Sequence, residues 1–265
     1  MHNKVKRITS GIKDKIRENS FLYSELVKRD FKKKYKRTYL GMVWSVLSPV
    51  LTLVIMRIVF SGFFGSEIAH YTTFIFCGNI IFNFFTDSTN GSMGSLMENS
   101  AIFSKINVPK SLFIISRVTS SLINFALTFC VFIVLCLVDG VSFHLGFFSL
   151  IIPVACLIVF NLGMSLFLST MFIFFRDIQY LWNIFTMLLM YASAIFYDPS
   201  QLGDIGELFF INPVYVYIKY FRVIVIEGSF PTLTHNLFAI GYALLALVVG
   251  TLVYKKTNHK FIYYV

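Results

Sequence analysis

Six stretches of this chain are long and apolar enough to cross a hydrocarbon layer of roughly 30 Å, which takes about 20 helical residues. They run near 42–64, 71–90, 112–138, 145–174, 178–197 and 233–254. No fold that keeps its outside wet accommodates six such stretches in 265 residues, because each needs an apolar surrounding on all sides. Composition agrees: only 14% of residues are charged, where a soluble domain carries about 25%. The expected class is an all-α membrane protein. The second stretch is the least apolar, and the fourth is long enough to tilt, with Pro153 near its start.

The segment 199–228 is different. It contains "ELFFINPVYVYIKYFRVIVIEG", but Asn212-Pro213 breaks the run and Lys219 and Arg222 interrupt its second half. Each half is about a dozen residues, the length of a re-entrant or interfacial helix. Charge distribution then counts the spans. Thirteen of the 23 Lys and Arg residues lie in the first 40 positions, against four acids. Six spans put both termini in the cytoplasm and leave only Lys219 and Arg222 on the outer side, with Arg57 inside the first span. A seventh would carry Lys255, Lys256 and Lys260 outside. The expected layout is therefore six transmembrane helices, with an external re-entrant helical hairpin between spans five and six. Residues 1–40 form a cytoplasmic basic segment and 41–265 a single transmembrane domain. No apolar region with a small-residue cleavage site follows the first basic residues, so no cleaved leader is expected.

Between Lys28 and Arg37 stand seven basic residues, almost against the first span. Residues 20–37 also have helical periodicity. Leu22, Tyr23, Leu26, Val27, Phe31 and Tyr35 share one arc, and Glu25, Lys28, Arg29, Lys32 and Lys36 the other. This describes an amphipathic helix at the membrane surface, either a plain lipid anchor or a docking surface. The net charge of +10 sits mostly here rather than across a groove, which argues against nucleic acid.

Three spans carry polar stripes. Thr72, Asn79, Asn83, Thr86, Asp87 and Asn90 fall within one arc of the second; Arg117, Ser121, Asn124 and Thr128 follow on the third; Asn161, Ser165 and Ser169 on the fourth. Such residues are either interhelical glue or the lining of a polar path, and Asn79, Asn83, Asp87, Ser121 and Asn124 are the candidates for a lining. Arg57 has two readings, a side chain snorkelling to the outer headgroups or a contact for an anionic group late in a passage. The four cysteines lie in apolar stretches without metal or disulfide spacing, the five His residues are scattered, and no G-x-x-x-x-G-K-[ST] string is present.

The string "RDFKKKYKRTYLGMVWSVLSPV" at 29–50 resembles the start of the ABC-2 type permeases, especially exporters of O-antigen, capsule and teichoic acid. Tyr35, Thr38, Leu40-Gly41, Trp44, Leu47 and Pro49 carry the likeness, with "FFRDI" at 174–178 and "NPVY" at 212–215. The resemblance implies a homodimeric permease, served by two copies of a cytoplasmic ABC ATPase that binds ATP and Mg, with no cofactor on this chain. It implies that Lys28, Arg29, Lys32 and Lys36, the 91–111 connection through Glu98, Ser100, Phe103 and Lys105, and Arg176-Asp177 meet the ATPase. It also implies an external gate at 199–228, where Asn212, Pro213, Tyr215, Tyr217 and Tyr220 are the residues of interest. The cargo would be a lipid-linked polysaccharide crossing the inner or cytoplasmic membrane. The alternatives are an ABC-2 pump for a drug or small lipid, or a multi-span enzyme of envelope synthesis. For the enzyme, Asp198, Asp204 and Glu207 are the only external acids close together.

Overall fold

The computed structural model describes residues 19–34, 36, 38–64, 68, 70–199 and 205–264. Residues 1–18 of the basic segment, Tyr35 of the 29–50 string and Asp204 lie outside the described residues. What is described is helical, with no strand. Helix α1 covers 19–34. A 3-10 turn at Gly41–Val43 leads into α2 (Trp44–Phe64), followed by α3 (Tyr71–Met93), the short α4 (Ser95–Glu98) and α5 (Ser100–Phe103), and α6 (Ser111–Val138). A 3-10 stretch at Leu145–Leu150 opens α7 (Ile151–Phe174), then come α8 (Ile178–Ala192) and α9 (Ile205–Leu208). The chain ends with α10 (Pro213–Val225), α11 (Leu233–Thr257) and α12 (Phe261–Tyr264).

Among the described residues, four segments are long and apolar enough to cross a membrane: Gly41–Phe60, Ser111–Val138, Leu145–Phe174 and Leu233–Lys260. The other two expected spans are helices of a different character. α3 has the length, 23 residues, but carries the polar stripe. α8 has 15 residues, a rise of only about 22 Å, and the chain turns at Ser193–Ala194 rather than running helical to 197.

α3 is the axis of the bundle. It is buried along most of its length and packs against α2, α6, α7, α8 and α10. Aromatic rings fill the spaces: Phe85 lies 5.8 Å from Phe160 and 5.9 Å from Trp182, and Phe84 lies 4.8 Å from Phe125. Beside it, α7 and α11 touch through their backbones. A Cβ on Gly163 would land on the Ala246 carbonyl, and one on Gly250 on the Gly163 carbonyl. Ala239, Ala243, Ala246 and Gly250 line the buried side of α11, so small side chains permit this approach where apolar lipid gives helices no other reason to associate.

α10 begins where the sequence breaks. The Asn212 side chain accepts a hydrogen bond from the Val214 amide (3.0 Å) and Pro213 occupies the first turn, both standard helix-starting devices. The helix is then buried from Val214 to Val225, apart from the half-buried Lys219. Arg222, one of the two cations that charge counting placed on the outer side, is buried within the bundle, 3% exposed. It lies over the Phe74 ring (3.4 Å to the centroid) and donates to the carbonyls of Ala194 (2.8 Å), Ile195 (2.9 Å) and Phe74 (3.3 Å). The Ala194 and Ile195 carbonyls are free because the chain turns out of α8 with Ala194 at φ +50°. Gly78 makes room, since a Cβ there would sit 3.3 Å from the guanidinium.

Candidate functional site

The basic helix α1 is docked on protein. Leu26 packs into an apolar cluster with Leu96, Phe103, Phe113, Ile114 and Leu166, and the Tyr23 hydroxyl meets Thr119 Oγ1 at 2.7 Å. The Asp30 carboxylate is fully buried. It accepts from Arg29 Nη2 (2.8 Å) and Ser116 Oγ (3.1 Å), and Arg117 Nε stands 3.5 Å away. Arg29 also donates to Asn99 Oδ1 at 2.7 Å. Glu98 then joins Lys33 (2.8 Å) to Arg117 (2.6 Å). Burial alone would raise the Glu98 pKa; the Lys33 hydrogen bond and the Arg117 charge outweigh it and hold the carboxyl below its ordinary range.

At the end of α1, Lys34 reaches both oxygens of Asp87 on α3 (2.8 and 2.9 Å). Behind this pair opens a cleft of about 680 Å³ between α2, α3 and α6. Asn83, Asp87 and Asn90 face it from α3, Ser121, Asn124 and Thr128 from α6, and Trp44, Ser45, Ser48 and Thr52 from the first two turns of α2. The sharp entry into α2 depends on Gly41, whose φ of +50° is a conformation few other residues adopt. A second hollow of about 350 Å³ lies on the other side of Lys34 and Asp87, among Asp30, Lys33, Glu98 and Arg117.

Of the residues considered for a path, Asn83, Asp87, Ser121 and Asn124 are thus brought together. Asn79 lies just beneath, buried, accepting from Asn83 Nδ2 (2.8 Å) and donating to Met56 Sδ (3.7 Å). Arg57 is exposed on α2 and does not line the cleft. The α7 stripe is also elsewhere. Asn161, Ser165 and Ser169 are fully buried, with Ser165 donating to the Ser88 carbonyl (3.3 Å). Among the residues considered for ATPase contact, Arg29 and Glu98 belong to the α1 network, Lys28 pairs with Glu25 (2.9 Å), and Phe103 is in the apolar cluster beneath. Lys32, Lys36, Lys105, Arg176 and Asp177 are exposed and Ser100 is half-buried.

The gate candidates lie together on α10. Besides its capping bond, Asn212 donates to Ser193 Oγ (2.8 Å) and the Ala192 carbonyl (3.1 Å). Tyr215 packs on Phe209 and Phe210, Tyr217 donates to the Ala239 carbonyl (2.9 Å), and Tyr220 to Asn236 Oδ1 (2.6 Å). Each phenol has an internal partner or ring contact. Lys34 and the α2 residues Ser45, Ser48 and Thr52 were not singled out from sequence, and Trp44 only as part of the family likeness. The available signal was Ser45, Ser48 and Thr52 at i, i+3 and i+7, a weak polar edge on an otherwise apolar span.

A family model described as ABC-2 type transporter matches residues 22–226, from within α1 to just past α10. The chain belongs to that family. It is 28% identical over 240 residues to the O-antigen export system permease protein RfbA of Klebsiella pneumoniae, covering 89% of this chain and 92% of the relative. A permease of the same name from Myxococcus xanthus is 23% identical over 215 residues, covering 79% and 82%. As an ABC-2 transporter this chain is a multi-pass membrane protein and a transport subunit rather than an enzyme. The polar cleft is therefore a polar surface inside a membrane bundle, where unpaired amides and hydroxyls are costly unless they meet water or cargo.

Proposed function

We propose that this chain is the membrane permease of an ABC exporter that carries a lipid-linked polysaccharide, O-antigen-like, from the cytoplasm to the outer face of the inner or cytoplasmic membrane. The observation that carries the proposal is the family match across 22–226, joined to relatives named as O-antigen export permeases that align over most of both chains. In this reading the α1 end of the bundle and both termini are cytoplasmic, as the excess of Lys and Arg there favours. α3 and α8 complete six spans. α3 tolerates its polar stripe because other helices surround it. α9 and α10 dip in from the outer side as a short hairpin over the path, and α1 lies at the cytoplasmic interface.

The working unit is a homodimer with two copies of a separate ATPase, which binds ATP and Mg. Closure of the ATPases pushes on α4, α5 and the exposed side of α1. The Asp30, Arg117 and Glu98 contacts pass that push to α6, and Lys34 passes it to Asp87 on α3. The cleft then widens toward the outer hairpin.

Deletion of the gene, with lipid-linked glycan measured separately at the surface and inside the cell, tests the reading. Loss at the surface with accumulation inside is expected. Loss in both compartments points to a synthetic role, and no change in either favours a pump for a drug or small lipid.

A further inference from the structure

The cleft between α2, α3 and α6 has a hydrogen-bonding character that narrows what it can hold. Several of its donors are already occupied. Ser45 donates to the Met42 carbonyl (2.6 Å), Thr52 to Ser48 (2.9 Å), Thr86 to Phe82 (3.0 Å) and Thr128 to Asn124 (3.0 Å). The Asn83 amide nitrogen is bound to Asn79 (2.8 Å), and that of Asn124 reaches Asp87 (3.4 Å). Lys34, the one cation among the described residues of the wall, has its charge against both oxygens of Asp87. What remains is neutral hydrogen-bonding capacity of both kinds beside the paired Asp87: Asn83 Oδ1 and the hydroxyl oxygens accept, and the Trp44 indole N–H, the Ser48 and Ser121 hydroxyls and the second Asn83 amide hydrogen donate. Asn90, exposed and hydrogen-bonded to no described residue, offers both kinds of group.

A wall of neutral donors and acceptors, with its described cation already paired, suits a ligand that brings both kinds of group and no net charge. Phosphate, pyrophosphate and carboxylate bring only acceptors and a negative charge, and would meet Asp87 with its counter-charge already used. A neutral sugar brings several O–H donors per ring and an apolar ring face. The cleft offers Trp44 and the adjoining Phe84 and Phe125 for that face. Its volume, about 680 Å³, falls within the range of roughly 300–1,000 Å³ typical of small-molecule sites. We infer that this cleft is a binding site for an uncharged, hydroxyl-rich sugar unit of the cargo, and that it discriminates against acidic sugars and against the phosphate end of a lipid carrier. The inference rests on the reading of the cleft as part of the export path, and adds to it the charge class of the glycan admitted.

Trp44 reports on the site directly. The other tryptophan, Trp182, is buried against Phe85 and Thr89 on the far side of α3, so the Trp182→Phe protein has a single tryptophan, on the cleft wall. The protein, in lipid nanodiscs, is titrated with maltotriose, with trigalacturonate and with inorganic pyrophosphate, and the wild-type protein is titrated in parallel as the check on folding. A saturable Trp44 response to maltotriose is expected, with half-saturation by trigalacturonate at least about tenfold higher and no response to pyrophosphate. Asn83→Leu together with Asn124→Leu should raise the maltotriose half-saturation by about tenfold. Equal or tighter binding of trigalacturonate or pyrophosphate overturns the inference. So does a maltotriose response that the double substitution leaves unchanged, or silence toward all three probes. Export measured in cells is a separate readout. Export intact with Trp44 silent removes the sugar site alone, whereas saturable sugar binding without any effect of gene deletion on glycan removes the export reading.

Discussion

Asp30 sits in the densest run of positive charge in the chain, yet its carboxylate is sealed under α1 between Arg29, Ser116 and Arg117. Removing this buried carboxylate leaves Arg117 Nε without its partner while Glu98 still holds Arg117 Nη2, which costs about 1–3 kcal/mol. Asp30→Leu is expected to loosen α1 by that order, seen as faster protease cleavage within 19–40 while the rest of the bundle stays resistant. Glu98 adds a pH dependence. Its folded pKa lies below the ordinary carboxylate value, so its contribution to α1 docking is complete above that value and disappears as pH falls through the lowered one. Cleavage in α1 should therefore rise on acidification below the ordinary carboxylate range, and less steeply in Glu98→Gln. Little of this was legible beforehand. Periodicity placed Leu22 and Leu26 on one face and the lysines on the other, but an acid inside a basic run looks the same whether it faces water or a buried arginine.

At the scale of elements, the pair α7–α11 is held by backbone contact at Gly163, Ala246 and Gly250. Gly163→Leu is expected to prevent the approach and abolish recovery of folded protein from detergent extracts, because backbone, unlike a side chain, has nowhere to retreat. Gly241→Ala on α11, where a Cβ would meet open space, should leave yield and melting temperature within error of wild type. The helices themselves were legible. Apolar length located α2, α6, α7 and α11, and the Asn212-Pro213 break located the start of α10. Burial of Arg222 was not, because its partners are carbonyls released by the turn at Ala194, and main-chain geometry leaves no mark in a hydropathy profile. The short α8 was overestimated for the same reason: Ser193 to Pro199 is apolar enough to continue a span, but the backbone turns.

For the molecule as a whole, the exposed basic side of α1 faces away from its own packing contacts. Reversing charge at Lys28, Lys32 and Lys36 together should reduce co-purification of the ATPase several-fold while membrane insertion, read by carbonate extraction, stays unchanged. Unaltered co-purification would reduce that face to a lipid anchor. The polar cleft was half visible in advance: the α3 and α6 stripes named Asn83, Asp87, Ser121 and Asn124, which do converge. Its third wall came from α2, whose Ser and Thr residues are too few among Leu, Val and Ile to stand out, so only the tertiary arrangement completes the site.

The glycine contact between α7 and α11 has a mechanical consequence. Two helices locked main chain to main chain cannot slide or roll past each other without one backbone passing through the other's van der Waals surface. α2, with 11% of its apolar window buried, is held far more lightly. In any rearrangement of the bundle, α7 and α11 are expected to move as one frame, and the wall of the cleft with the fewest contacts within this chain to break is the one built by α2.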